Sequence, residues 1–261
     1  MQLAVLFITA LVIASAGFKK YIYFFSVGYG FSVAGIAIAM LIMCAFNANT
    51  AVVPMCLVLI IYGARLGGYL LYREMKSKAY RSLLNGEIKH NVSLKAKLSI
   101  WLVCSLLYVC MTCPVLFRLL SGKGTDAFSV IGLLLMIAGA ATELAADIHK
   151  SAAKKKAPHS FVSTGLYSIV RCPNYFGELV LWTGVFITGI NVYSAAWHWM
   201  LAVIGYLGII YVMFSGARRL EIRQQRTYGN DDSYRDYVRR VPIILPLVPL
   251  YSVYKYRWLA A

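Results

Sequence analysis

Residues 98–120 read LSIWLVCSLLYVCMTCPVLFRLL, an apolar run in which Arg118 is the one charged side chain. About 20 such residues are enough for a helix to cross the roughly 30 Å hydrocarbon core of a bilayer. Backbone N–H and C=O groups inside hydrocarbon must be hydrogen-bonded within their own segment, which a helix achieves. The run therefore predicts a transmembrane α-helix.

Comparable apolar runs lie on both sides of this segment. They cover residues 2–17, 21–46, 52–72, 127–147, 174–190 and 195–217. The chain of 261 residues is 60% hydrophobic and 14% charged, whereas about 25% of the residues of a typical soluble domain are charged. We therefore predict an all-α, polytopic membrane helical bundle with about seven transmembrane helices. Residues 1–261 are expected to form a single membrane domain, because no linker separates the runs.

The chain has a net charge of +16, and its basic residues are distributed as the predicted topology requires. With the N-terminus outside, 23 of the 26 Lys and Arg residues fall on the cytosolic side, including those in the loops 73–97 and 148–172 and after residue 217. This is the positive-inside pattern, and it predicts a cytosolic C-terminus. The basic residues are then expected to contact membrane lipids rather than nucleic acid. The pattern suits a bacterial inner membrane or the endoplasmic reticulum membrane.

Three of the ten acidic residues fall within or at the ends of apolar runs, namely Glu143, Asp147 and Glu178. A carboxylate at membrane depth is costly unless it is paired or hydrated, so each is a functional candidate. Glu143 and Asp147 are spaced i, i+4 and share one helix face, and Asn174 stands in the same relation to Glu178. A structural ion pair with a nearby basic residue is the alternative for each carboxylate.

The segment before the sixth run reads GLYSIVRCPNYFGE over residues 165–178. Pro173 suits the first position of a helix, because its missing N–H would have no partner there anyway. Arg171 would then lie just outside the positive end of that helix, where N–H groups and a guanidinium together can bind phosphate. Gly177 permits a close approach to the helix backbone.

Two basic segments follow the last run. Residues 218–226 are predicted to continue the seventh helix into the cytosol with a cationic face, and residues 236–246 form a short amphipathic segment ended by prolines. Attachment to the lipid surface is the alternative function of these arginines.

Together these motifs resemble the steroid 5-alpha-reductase family, including its bacterial members. Gly165–Trp182 resembles the C-terminal domain of that family, and the Asn-Tyr-Phe-Gly-Glu core at 174–178 is close to its signature. The resemblance extends back to the Glu143-x-x-x-Asp147 pair and forward to Asp236-Tyr237 and the Ile-Leu-Pro sequence ending at Pro246. It covers about the last 120 residues, whereas the first half matches only by its pattern of spans. The wider superfamily includes sterol reductases and isoprenylcysteine carboxyl methyltransferases.

The resemblance implies an NADPH-dependent oxidoreductase that reduces a carbon–carbon double bond conjugated to a carbonyl in a lipophilic, steroid-like or other enone or enoyl substrate. Residues 127–250 would form the cofactor-binding region, and residues 1–120 would line a substrate cavity. The family's cofactor-binding positions map onto Glu143, Asp147, Lys154, Arg171, Asn174, Glu178, Arg223 and Tyr237. Glu143 stands where 5-alpha-reductases tend to have Asn, and Arg223 matches less closely. Glu178 is also a catalytic candidate, since it would hold the nicotinamide end.

The family's proton donor is a tyrosine in an earlier span, and the best match is Tyr62, with Arg65 at i+3 on the same face. Steroid-reducing members also carry a carboxylate upstream. The first two spans here contain no Asp or Glu, and the amides nearby are Asn47 and Asn49. The resemblance therefore does not identify a steroid as the substrate. A packing role is the alternative for Tyr62.

Two other functions are compatible with the sequence. One is an S-adenosylmethionine-dependent methyltransferase of the isoprenylcysteine type, although such sequences usually read Arg-His-Pro where this one has Arg171-Cys172-Pro173. The other is a non-enzymatic lipid-binding protein of the same fold. No metal site is expected, because the four His residues lack metal-ligand spacing. We expect a monomer whose lipophilic substrate enters from the bilayer.

Overall fold

A computed structural model of the chain describes residues 1–47, 50–76 and 92–259, with side chains described for all of these except 46, 47 and 50. These residues form eight α-helices and no β-strand, which confirms the predicted all-α fold class. The helices are α1 (Gln2–Ala14), α2 (Val27–Asn47), α3 (Val53–Lys76), α4 (Leu94–Ser121), α5 (Ala127–Lys156), α6 (Pro173–Gly189), α7 (Ala196–Tyr228) and α8 (Asp232–Arg240).

Within the described ranges, five helical segments are long and apolar enough to cross a membrane. They are Tyr21–Ala45, Val53–Lys76, Leu94–Ser121, Ala127–Lys156 and Ala196–Tyr228. The other two predicted runs are also helical but shorter. The first is apolar over Gln2–Phe18, and α6 has 17 residues, a rise of about 25 Å. The chain is thus a polytopic helical membrane bundle.

The connection between α4 and α5 shows why these two helices end and begin where they do. α4 ends at Ser121 and is capped by Gly122, whose φ of 65° is the left-handed conformation that glycine adopts readily. Asp126 and Ser129 then bond reciprocally at the start of α5, each side-chain oxygen accepting the other residue's N–H, at 2.9 and 2.8 Å. Such a reciprocal box satisfies two N–H groups that a helix start would otherwise leave without partners.

The backbone groups into two compact units, of which the first comprises Met1–Leu133 and Val185–Tyr206. In this unit α2 and α3 cross at glycines. A Cβ built on Gly30 would lie 2.6 Å from the Gly67 nitrogen and 2.8 Å from the Gly63 oxygen. Small residues at i and i+4 are a common way for membrane helices to bring their backbones together. The crossing fixes the face of α3 that carries Tyr62.

The second unit comprises Leu134–Gly184 and Leu207–Ala261, and in it α5 crosses α6 in the same manner. A Cβ on Gly177 would lie 2.7 Å from both the Glu143 nitrogen and the Gly139 oxygen. α6 begins at Pro173, as predicted. Before it, the backbone N–H groups of Arg171 and Cys172 donate to the carbonyls of Pro242 and Ile243, both at 2.9 Å. The C-terminal segment thereby fixes the entry to α6.

Candidate functional site

The α5–α6 crossing in the second unit brings two predicted acidic residues into one region. Gly177, next to Glu178 in sequence, packs against the Glu143 backbone, and both carboxylate side chains are buried, at 3% exposure for Glu143 and 6% for Glu178. Asn174, one turn before Glu178, and Asp147, one turn beyond Glu143, are half-buried. The i, i+4 spacings predicted from sequence are therefore realised on two packed helices.

α7 adds positive charge to this region. The ring of Tyr175, on α6, lies over Gly216 of α7, where a Cβ would be 3.2 Å from the tyrosine hydroxyl. Arg219 and Arg223, one and two turns beyond Gly216, lie within electrostatic range of that phenol, as does Glu178. Arg223 is exposed. The start of α6 thus has carboxylates on its α5 side and guanidinium groups on its α7 side.

Arg171 does not extend from the end of α6 into solvent. Its side chain is buried, and Nη2 donates to Oε1 of Glu221 at 3.0 Å and to the Tyr251 carbonyl. The other Glu221 oxygen accepts the Val253 N–H at 2.9 Å. The expected guanidinium beside the helix start is therefore an ion pair that joins the loop before α6, α7 and the C-terminal segment.

Two tyrosines of α8 and one cysteine surround this ion pair, and burial governs their ionisation. Tyr237 donates to the Tyr167 carbonyl at 2.6 Å, and burial raises its pKa. Burial also raises the pKa of Tyr234, and the nearby Arg171 guanidinium partly opposes this shift. Burial raises the pKa of Cys172 to about 12. All three groups are neutral at pH 7, so they contribute packing and hydrogen bonds but no charge.

Lys154 closes the end of α5. Its ammonium group donates to the Ser160 carbonyl at 2.7 Å, to the Pro158 carbonyl at 3.2 Å and to the Tyr228 hydroxyl at 2.9 Å. The side chain is half-buried. These three bonds link α5 to the C-terminal end of α7.

Tyr62 belongs to the first unit, where it is 1% exposed. Its hydroxyl lies 3.1 Å from the hydroxyl of Tyr29 on α2, and the Tyr29 ring lies 5.4 Å from that of Tyr108. A buried pair of phenols at hydrogen-bonding distance can pass a proton or orient one O–H group. Asn49 and the side chain of Asn47, the amides considered upstream, lie outside the described residues.

Several buried polar residues were not singled out from the sequence. Glu221 pairs with Arg171, Glu74 is 5% exposed and pairs with Lys20, and Tyr29 contacts Tyr62. Each partner lies far away in sequence, so no local pattern reveals the contact. Glu74 stands between Arg73 and Lys76, just after an apolar run, so its sequence context indicates a surface loop rather than a buried carboxylate.

The role of His149 is another feature that only the structure shows. Its ring nitrogen Nε2 lies 3.0 Å from the Thr164 hydroxyl, and the ring packs over Gly165, where a Cβ would come within 2.9 Å. Gly165 has a φ of 58°, so both its conformation and its space require glycine. This contact positions the turn that leads to Arg171.

Comparison with protein-family models gives a match over most of the chain. Residues 13–241 match the family described as Protein of unknown function (DUF1295). The chain belongs to this family. The DUF1295 match includes every predicted site residue, from Tyr62 to Tyr237. No curated protein and no solved structure matches the chain. Within the described ranges there is no group of three or more His, Cys, Asp or Glu residues that could hold a metal ion.

Proposed function

We propose that the chain is an NADPH-dependent membrane reductase of a carbon–carbon double bond conjugated to a carbonyl in a lipophilic substrate. The observation that carries the proposal is the burial of Glu143 and Glu178 on two packed helices of the second unit. Carboxylates in a membrane bundle are expensive, and those that persist usually hold a polar ligand, a proton or an ion.

The side chains around α6 fit a dinucleotide in their donor chemistry. Glu143, Asp147, Asn174 and Glu178 supply acceptors for the carboxamide and ribose hydroxyl groups of such a ligand. Arg223, which is exposed, and Lys154, which is half-buried, supply cationic donors for phosphates. Arg171 fits less directly, because its guanidinium is buried against Glu221. We therefore assign Arg171 the role of positioning the start of α6, with Tyr237 holding the adjacent turn.

When bound, the cofactor would supply a hydride for the β-carbon of the substrate, and a proton from water would add at the α-carbon. The chain's own contribution is to hold the nicotinamide end at Asn174 and Glu178 and to stabilise the enolate oxygen. Tyr62 would donate a hydrogen bond to that oxygen, oriented by Tyr29, whose hydroxyl lies 3.1 Å away. One such donor in a water-poor site contributes about 3 kcal/mol to transition-state stabilisation.

The first test is nucleotide binding to the detergent-purified protein, followed as the shift in unfolding temperature with NADPH, NADH or S-adenosylmethionine. Glu178→Gln removes one charge from the proposed site and keeps the side-chain volume. Glu74→Gln is the matched control, because it makes the same change at a buried carboxylate of α3 that pairs with Lys20. We expect NADPH to stabilise the wild type and the control strongly and the Glu178 variant much less.

The other outcomes distinguish the alternatives. Stabilisation by S-adenosylmethionine alone would support a methyltransferase of the isoprenylcysteine type. No stabilisation by any of the three ligands would favour a non-enzymatic lipid-binding protein of the same fold. An equal NADPH response in the wild type and in Glu178→Gln would remove Glu178 from the cofactor site.

A further inference from the structure

The C-terminal segment after α8 presents large apolar side chains outward. Leu247 is fully exposed, Tyr254 is 57% exposed and Trp258 is 68% exposed, and Val248 and Tyr251 are also exposed. The segment lies beyond Tyr228, where the last candidate span ends. Several large apolar side chains exposed within one short segment suggest a binding surface.

The part of this segment around Leu247 is held in a defined conformation. The Ile243 N–H donates to the Leu250 carbonyl at 2.9 Å, and the Leu250 N–H donates to the Val248 carbonyl at 2.7 Å. Ile243 and Ile244 are buried and anchor the loop at its base. Leu247 itself has a φ of 65°, a left-handed conformation that is strained for a leucine. The fold therefore directs an apolar side chain outward despite conformational strain.

The loop backbone is well suited to a poorly hydrated environment. Pro246 and Pro249 flank the exposed pair Leu247-Val248, and proline has no N–H to leave without a partner. A backbone donor without a partner is the main cost of placing a loop in hydrocarbon. Pro246 and Pro249 have no N–H group, and the N–H of Leu250 is already hydrogen-bonded. The free-energy cost of moving this loop into the boundary of a bilayer is therefore reduced.

The end of the segment is attached to a membrane-spanning helix. Tyr211 lies in the candidate span Ala196–Tyr228 and donates its hydroxyl to the Trp258 carbonyl at 3.2 Å, with the two rings stacked. Further along α7, Arg218 donates to the carbonyls of Tyr254 and Leu259 at 3.2 and 3.1 Å. Tyr211 is itself 41% exposed on the span. Trp258 is therefore held beside a lipid-facing residue, and tryptophan favours the membrane–water boundary.

Positive charge accompanies these apolar side chains. Arg239, Arg240, Lys255 and Arg257 are exposed, and the sequence contains no Asp or Glu after Asp236. Anionic lipid headgroups attract basic side chains near a membrane surface, by a factor of about five for each residue. A cationic segment with outward leucine and tryptophan matches a leaflet that contains anionic lipid.

We propose that residues 246–258 form a membrane anchor that inserts Leu247, Val248 and Trp258 into the cytosol-facing leaflet of the protein's own membrane and binds anionic headgroups through its basic residues. The anchor is independent of the proposed reductase activity. Because the Tyr251 carbonyl accepts a hydrogen bond from Arg171, the anchor is also joined to the loop that starts α6.

Site-directed fluorescence in vesicles tests the anchor. All six native cysteines are buried, so an environment-sensitive maleimide will label an introduced surface cysteine selectively. Leu247→Cys carries the probe at the loop tip, where the substitution removes no packing. Asp232→Cys on α8 is the control, because the Asp232 side chain is 89% exposed. Each protein is placed in vesicles of phosphatidylcholine alone or with added phosphatidylglycerol.

We expect spin-labelled lipid to quench the Leu247 probe severalfold more than the Asp232 probe, and aqueous iodide to show the reverse order. Phosphatidylglycerol should widen the difference, and replacing Lys255 and Arg257, the basic residues within the anchor, by Gln should narrow it. Equal quenching of both probes by iodide would overturn the proposal. So would protection of Leu247 that rises with the protein-to-lipid ratio and ignores phosphatidylglycerol, since that pattern indicates contact between copies of the chain.

Discussion

Arg171 and Glu221 form a buried ion pair, with 3.0 Å between Nη2 and Oε1, although the two residues are 50 positions apart in sequence. The pair connects the loop before α6 to α7, and through the Tyr251 carbonyl and the Val253 N–H it also holds the C-terminal segment. The candidate site lies at the start of α6. The ion pair between the preceding loop and α7 therefore holds this start in position.

Removing one partner of this pair should destabilise the fold strongly. Glu221→Ala leaves the buried guanidinium of Arg171 without a carboxylate, and such a loss typically costs about 3–5 kcal/mol. The measurement is thermal unfolding in detergent, followed with a maleimide that fluoresces when buried cysteines become accessible. Asp232→Ala breaks the exposed Asp232–Arg235 pair and should leave the unfolding temperature unchanged.

The double variant Arg171→Met, Glu221→Met provides a second measurement of how much this ion pair contributes to stability. It can be used if Glu221→Ala does not fold. Two apolar side chains of similar volume satisfy each other in a buried site, so the double variant should recover much of the lost stability. If the double variant were as unstable as the sum of the single ones, the two side chains would not interact.

Gly177 should not tolerate alanine. Its Cβ would lie 2.7 Å from backbone atoms of α5 that are unable to move without separating the helices, and overpacking of this kind costs about 1–3 kcal/mol. Gly68 is the matched control, since it lies in α3 with nothing within 4 Å of its Cβ position. Gly177→Ala should lower the unfolding temperature and weaken NADPH binding, whereas Gly68→Ala should do neither. Equal unfolding temperatures for the two variants would contradict the close crossing of α5 and α6.

The helices were predictable because their signal is local. Apolar runs of span length, and a proline suited to a helix start, placed α4 and α6 within a few residues of their observed bounds. The role of Gly177 was predictable only in part. Its sequence context indicates a close backbone approach, but the partner is the α5 backbone rather than a ligand.

The pairing of charges was not predictable, because it depends on tertiary contacts. Arg171 has the same local sequence whether it faces a ligand or Glu221, and Glu221 stands among arginines that suggest a cationic surface. The phenol pair of Tyr62 and Tyr29 likewise joins residues on different helices. The sequence alone indicates which residues are costly to bury. Only the fold identifies the partners that lower this cost.

Low pH should reduce the stability of the first unit, because Asp126 becomes protonated. Burial opposes ionisation, but bonds from the Ser129 N–H, Asn191 and Arg118 lower the pKa of Asp126 to about 2 from an ordinary value of 3.8. A lowered pKa stabilises the fold above about pH 4, and this contribution, about 2 kcal/mol, is lost as the pH falls through about 2.

The unfolding free energies of wild type and Asp126→Asn, measured from pH 7 downward, should therefore converge near pH 2. Asp232→Asn, which makes the same change at an exposed carboxylate of α8, is the control and should keep the wild-type acid profile. A constant difference between wild type and Asp126→Asn at every pH would show that the carboxylate charge contributes nothing.

Tyr62→Phe tests the proposed chemistry directly. The change removes only the hydroxyl that would stabilise the enolate oxygen, so turnover of a reducible lipophilic enone should fall about 100-fold or more. NADPH affinity should hardly change, because the proposed cofactor contacts lie in the second unit. Tyr108→Phe is the matched control, a buried tyrosine of the same unit whose hydroxyl donates to the Phe24 carbonyl. It should reduce stability but leave turnover per folded molecule near the wild-type value. Tyr29→Phe should give an intermediate loss, since it removes the group that orients the Tyr62 hydroxyl. If Tyr62→Phe kept wild-type turnover, the tyrosine would be a packing residue, and the donor to the substrate carbonyl would have to be sought elsewhere in the bundle.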